Sequence, residues 1–192
     1  VMDGLDPAVA QAFEASLSAL SARGARIVAF DFPELRDLPT INAGGGLTAA
    51  ESWAWHRELL KLSGDLYDQL VAQRIRRGAN QSAADYIDLL AARTAMQRRA
   101  AQHLRDADAW LMPTVAIEAP KLRDLEGADE DFFAINGKVL RNASVINFLD
   151  GCATALPARH PGTGYSVCGL SGQDQRILQI AAACEAAMNA TA

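Results

Sequence analysis

A chain of 192 residues, half of them apolar and with a net charge of −5, is long enough to bury a substantial core as one domain and too hydrophobic to stay disordered. The negative balance excludes any general expectation of nucleic-acid or membrane-surface binding. Three cysteines, Cys152, Cys168 and Cys184, form an odd count without C-x-x-C spacing. That argues against a disulfide framework or zinc knuckle and for buried, reduced thiols in a cytoplasmic protein.

No apolar run reaches the roughly 18 residues of a membrane span. Val1 to Asp6 has neither a basic n-region nor an apolar h-region, so no signal peptide is expected. Val1 is read as an engineered start or as a cut inside a longer chain. Abundant alanine and only 6% aromatic residues point to closely packed helices rather than an all-β sandwich.

Asp6-Pro7 has the pattern of a helix N-cap followed by proline at the first helical position. Val9, Phe13, Leu17 and Leu20 then fall on one helical face, and Gly24 supplies the stop. Ala25 to Phe32 is expected to be a strand ending at Pro33. The glycine-rich run Asn42 to Thr48 lacks both the Gly-Lys-Ser/Thr of a P-loop and a G-x-G-x-x-G fingerprint, so a hinge or tight loop is expected rather than a phosphate cradle. Thr48-Ala-Ala-Glu51 has capping-box spacing. In the helix that follows, Trp53 and Leu60 share a buried face and Trp55 leaves it. Gly64 to Ile75 is a second helical run, with Arg74, Arg76 and Arg77 near its negative end.

Ser82-Ala-Ala-Asp85 repeats the capping-box spacing and opens the longest helix, to about Arg105, with Tyr86, Leu89, Met96, Ala100 and Leu104 on one face. Its arginines, Arg93, Arg98, Arg99 and Arg105, are expected to be solvated. Ala109 to Met112 suits an interior strand covered on both faces. A loop rich in proline and charge follows from about Val115 to Asp131, of a length that often lines a site. Phe132 to Leu149 is expected to be helical with a break near Gly137. Two short strands, around Ala153 to Pro157 and Gly164 to Gly169, flank a Pro/Gly turn, and a helix from Asp174 to Met188 closes the chain.

No complete catalytic constellation can be drawn from these residues. There is no G-x-S-x-G elbow. Ser166 reads as a packed or paired hydroxyl, and Cys168 has no base placed near it in sequence. His56, His103 and His160 form neither H-x-x-x-H nor H-E-x-x-H, so no metal site is expected. The acidic run Glu126, Asp129, Glu130 and Asp131 lacks EF-hand spacing and reads as a solvated loop.

The order of elements nevertheless resembles the C-terminal half of the amidase-signature family. The carriers are Asp6-Pro-Ala-Val-Ala with its helix, Arg74-Ile-Arg-Arg-Gly78 followed by Ala84-Asp-Tyr86, Asp106 to Thr114 ending in Pro-Thr, Asn147 with Ala153 to Pro157, and the closing helix with Asp174, Leu178, Ala181 and Glu185. Asp150-Gly-Cys152-Ala stands where the family commonly has Gly-Leu-Pro-Ala, and Thr163-Gly-Tyr-Ser-Val where it has a Leu-Pro-Val-Gly hairpin.

The resemblance implies an α/β fold, a three-layer α/β/α architecture with a mixed sheet. Residues 1–192 would be a single domain, the C-terminal portion of a larger amide hydrolase that turns a carboxylic amide into acid and ammonia. The family's serine nucleophile, bridging cis-peptide serine and lysine lie in a Gly/Ser-rich region that nothing here matches, so no catalytic residue is carried over and the chain alone is expected to be inactive. Thr114, Arg141, Asn142 and Asn147 are the substrate-pocket candidates. No cofactor is implied, and the partner is a small amide, with a homodimer among the expectations. The alternatives are the amidase-like component of a tRNA-dependent glutamine amidotransferase, which needs partner chains and ATP, and a non-catalytic binding or scaffolding module.

Overall fold

The computed structural model describes residues 1–189. The chain divides into two compact units, one of Val1–Phe32 with the residues from Ala100 onward, the other of Pro33–Arg99.

The first unit is an α/β assembly on a three-stranded sheet of order β1-β3-β2, built from β1 (Trp110–Pro113), β2 (Cys152–Pro157) and β3 (Gly164–Gly169). Both ladders are antiparallel, with Leu111 and Thr154 both opposite Val167 and Pro113 and Leu156 both opposite Tyr165. The alternation of a strand puts Leu111, Tyr165, Val167 and Leu156 on one face. Helices α1 (Pro7–Ala22) and α7 (Asp174–Asn189) contribute Phe13, Leu20, Ile177 and Ala181 to the same core cluster. The opposite face carries Trp110, Met112, Ser166 and Cys168, all buried. Helix α6 (Asp129–Phe148) adds buried Asn142, Val145, Ile146 and Phe148 to this unit. It runs unbroken through Gly137 and begins three residues before its expected start, with Asp129, Glu130 and Asp131 in its first turn. That location explains the acidic run: carboxylates favour the positive end of a helix dipole.

The expected hairpin is present, and Gly162 at φ 77° makes its turn. Ala25 to Phe32 is not a strand. It has no ladder bonds, and Ile27, Val28 and Phe30 are exposed. Strand propensity describes how a residue fits a pleated surface; a ladder also needs a neighbouring edge, and no described strand lies beside this segment. Its aromatic rings still pack: Phe32 lies 4.5 Å from the His103 ring and Phe30 5.9 Å from Trp110, centroid to centroid. β1 is buried as expected but forms an edge of the sheet among the described residues.

The second unit is helical, with a short α2 (Leu38–Ile41), then α3 (Gly46–Ser63), α4 (Gln69–Arg76) and α5 (Ala83–His103), the last belonging to this unit as far as Arg99. Leu60, Ala72 and Ile75 form its core, with Trp53 and Tyr67 against them, while Trp55 is 78% exposed. The expected run from Gly64 is interrupted at Asp68, whose carboxylate accepts from Val71 N (3.0 Å) and caps α4. The glycine-rich loop is pinned rather than a free hinge. Gly45 and Gly46 take φ 106° and 67°, and the Gln81 amide donates to the carbonyls of Gly44 (2.9 Å) and Gly46 (3.1 Å).

The two capping boxes differ in outcome. Thr48 lies inside α3, because the left-handed Gly45 opens the helix earlier, and Glu51 instead accepts from the Tyr86 hydroxyl (3.3 Å). At Ser82 the box forms in full: Asp85 N donates to Ser82 Oγ (3.1 Å) and Ser82 N to Asp85 Oδ2 (2.8 Å). The bond from Ser82 N, with a second from Ser82 Oγ (2.7 Å), holds the Asp85 carboxyl below its usual range. Ser82→Ala is expected to cost about 1 kcal/mol and to speed amide exchange in the first turn of α5, measured by hydrogen exchange.

Candidate functional site

Two of the candidate pocket residues, Thr114 and Asn142, fall where β1 ends. Pro113 closes the strand, and Thr114 continues its pairing by donating its backbone N–H to the Gly164 carbonyl (3.0 Å). Its hydroxyl lies 2.9 Å from Ser166 Oγ. Gly164 leaves room for this approach, since a Cβ there would lie 2.9 Å from the Leu156 carbonyl and 3.5 Å from Thr114 Oγ1.

Asn142 is fully buried on α6, and its amide donates to the Pro113 carbonyl (2.7 Å). Its own oxygen accepts from Arg141 Nε (3.0 Å). Arg141 then donates to the carbonyls of Asp3 and, at 2.9 Å, of Val1. Arg141 and Asn142 are therefore a relay that ties the first residues of the chain to the end of β1. Asn147 is exposed farther along α6 and is not brought to this cluster; its carbonyl accepts from Asp150 N (3.2 Å).

A second tie was not legible in the sequence. Asp6 occupies the expected N-cap position of α1 but makes no side-chain cap bond. Its carboxylate accepts from Glu118 N (2.9 Å), while its own N–H donates to the Ala116 carbonyl (3.0 Å). The segment 113–118 is thus held by α6, by the start of α1 and by β3 together. It forms one wall of an open cleft of about 290 Å³, lined also by Val9, Ala155, Leu156, Pro157 and the hairpin turn at Gly162 to Gly164.

This arrangement holds backbone and side chains in place; it does not activate a nucleophile. The hydroxyl facing Ser166 is another alcohol, which cannot serve as a general base near neutral pH. Cys168 is completely buried, and desolvation, with a smaller contribution from Cys152, pushes its thiol up to about 12. A thiol so held is inert at pH 7. Its ordinary value is 9.0. The unfolded chain therefore loses this proton first, so the thiol's contribution to stability is intact below pH 9.0 and is lost as pH rises towards 12. His56 Nδ1 lies 2.8 Å from the Tyr67 hydroxyl, in the other unit. Among the described residues no group of histidine, cysteine and carboxylate side chains could hold a metal ion, and no helix is long and apolar enough to cross a membrane.

Two outcomes follow. Asn142→Ala leaves the Pro113 carbonyl without its buried donor and is expected to cost about 1–3 kcal/mol, measured by urea unfolding. Iodoacetamide at pH 8 is expected to alkylate the half-buried Cys152 and Cys184 of the folded chain before Cys168, by mass mapping.

Comparison with known proteins places these features in a family. The family model Amidase matches residues 1–178. The chain is 30% identical over 188 residues to 2-amino-5-chloromuconic acid deaminase of Comamonas testosteroni, covering 96% of this chain and 40% of that protein. It is 28% identical over 168 residues to an amidase of Pseudomonas putida, covering 88% and 35%. A crystal structure of an amidase superposes with a TM-score of 0.75 at 25% identity, over 93% of this chain and 42% of that one. An allophanate hydrolase of Kluyveromyces lactis shares the fold with a TM-score of 0.79 at 22% identity. The chain thus spans 35 to 40% of the length of the curated relatives it matches. With the family model matching from Val1 through Leu178, this chain belongs to the Amidase family.

Proposed function

We propose that this chain is the C-terminal portion of an amidase-signature amide hydrolase, in which it supplies part of the sheet and a wall of the substrate pocket. The observation that carries the reading is a pairing of two facts. The family match runs along nearly the whole chain, over residues 1–178, yet neither Ser166 nor Cys168 has an activating base. Bond breaking is then the work of the family's serine–serine–lysine set, carried outside these residues. Thr114, with Asn142 and Arg141 behind it, keeps the wall in place, and Asn147 is exposed on α6.

The reaction class is hydrolysis of a small carboxylic amide to acid and ammonia. A deaminase and an amidase among the relatives favour a free hydrolase over an amidotransferase component. Three free thiols fit a cytoplasmic enzyme. The apolar segment 25–32, without ladder bonds, is surface that the rest of a family sheet, or a second copy of the chain, would cover.

Ammonia release from a panel of aliphatic and aryl amides tests this. The chain alone is expected to show none above background. A longer product of the same gene, carrying a Gly/Ser-rich segment and its lysine, is expected to turn over at least one amide. Turnover by the chain alone that disappears in Ser166→Ala contradicts the proposal.

A further inference from the structure

Helix α3 has a second apolar side that the core of its own unit does not use, and we infer that this side pairs two copies of the chain. The contact is made by Trp55, Leu59 and Leu62, with Leu66 just past the end of the helix.

The spacing defines the surface. Steps of four and three residues return to one side of a helix, so Trp55, Leu59 and Leu62 form a single stripe. The buried side of α3 presents Gly46, Ala49 and Leu60. At about 100° per residue the stripe lies roughly 140° round the axis from it. Trp55 is 78% exposed, Leu62 and Leu66 82% each, and Leu59 47%. Single apolar side chains on a surface are ordinary, whereas a contiguous row of large ones marks an interaction surface.

The polar neighbours favour a second copy over a lipid surface. Helical spacing sets Glu51 and Glu58 along one edge of the stripe and Ser52 and Ser63 along the other. Glu58 is already neutralised within α3 by Lys61 at 2.9 Å and Arg57 at 4.0 Å. A helix lying in a membrane surface carries a polar face rich in lysine and arginine, and these edges are acidic and hydroxylic. The area suits a pair. At roughly 150–200 Å² for a large side chain, the four exposures amount to on the order of 500 Å² per copy. A two-fold contact uses the same patch twice, which gives about 1,000 Å², the threshold of a specific interface. An interface of that size, centred on one tryptophan, is a reversible one.

Sedimentation velocity of the chain over a dilution series tests this, with acrylamide quenching of tryptophan fluorescence measured alongside. A monomer–dimer equilibrium is expected, with less quenching in the dimer. Leu62→Asp should raise the dissociation constant about 30-fold or more, and its exposed position leaves the core intact. Trp55→Ala should weaken the dimer likewise and remove the quenching difference, which assigns that signal to Trp55. Val28→Asp, on the exposed segment 25–32, should leave the dimer unchanged. A chain that stays monomeric throughout the series overturns the proposal, as does a dimer that survives Leu62→Asp and Trp55→Ala or is lost in Val28→Asp. Trp55-dependent binding of a monomeric chain to phosphatidylcholine–phosphatidylserine vesicles overturns it in favour of a membrane. A longer, monomeric product of the same gene in which Trp55 is shielded overturns it in favour of the rest of that protein. None of these outcomes depends on amide hydrolysis, so the functional reading stands or falls separately.

Discussion

Strand β3 is the constraint on which the first unit depends. It is hydrogen-bonded along both edges, to β1 and to β2, and Tyr165, Val167 and Cys168 within it are completely buried. A strand so placed needs cover on both faces, because alternate side chains point opposite ways. Its end is equally confined: a Cβ at Gly169 would lie 2.5 Å from Ile177 Cγ1, so α7 sits directly on the strand's backbone. A Cβ at Gly151 would in turn lie 2.6 Å from the Gly169 carbonyl, so the approach to β2 tolerates no side chain either. The helices, the hairpin and the end of β1 are positioned by what this one strand requires.

That requirement reaches the candidate site through β1. The strand ends at Pro113, and the Pro113 carbonyl is satisfied by Asn142 instead of by a further strand. Burying an amide side chain there is favourable only because both of its ends are bonded. The result is a largely apolar cleft with Thr114, hydrogen-bonded to Ser166, in its lining. Among the described residues it has no base to draw a proton from an alcohol and no exposed thiolate. This division of labour matches a family member that spans less than half the length of its relatives.

Local pattern made much of the architecture legible. The periodicity of α1, the Ser82–Asp85 box, the β2–β3 hairpin and the closing helix are short-range features, each written within a few residues. What escaped were features decided by distant partners. Ala25 to Phe32 has the composition of a strand but no described neighbour. Asp6 has the position of a cap, yet bonds Glu118, 112 residues away. Thr48 has the spacing of a capping box, but a left-handed glycine starts the helix before it. At the site, resemblance points to Thr114 and Asn142, and Asn142 bonds the carbonyl of Pro113, the residue before Thr114. Ser166 had been read as a paired hydroxyl, but its partner lies 52 residues away and no local pattern names it. Asn147 lies on the same helix as Asn142, yet five positions farther round it faces out.

The central claim is that these residues shape an amidase without containing its nucleophile. Incubation of the folded chain with a fluorophosphonate probe, followed by mass mapping, tests it most directly, since such probes react with activated serines. The predicted result is an unlabelled chain, with Ser166 intact under conditions that label a complete amidase. A stoichiometric adduct on Ser166 would contradict it.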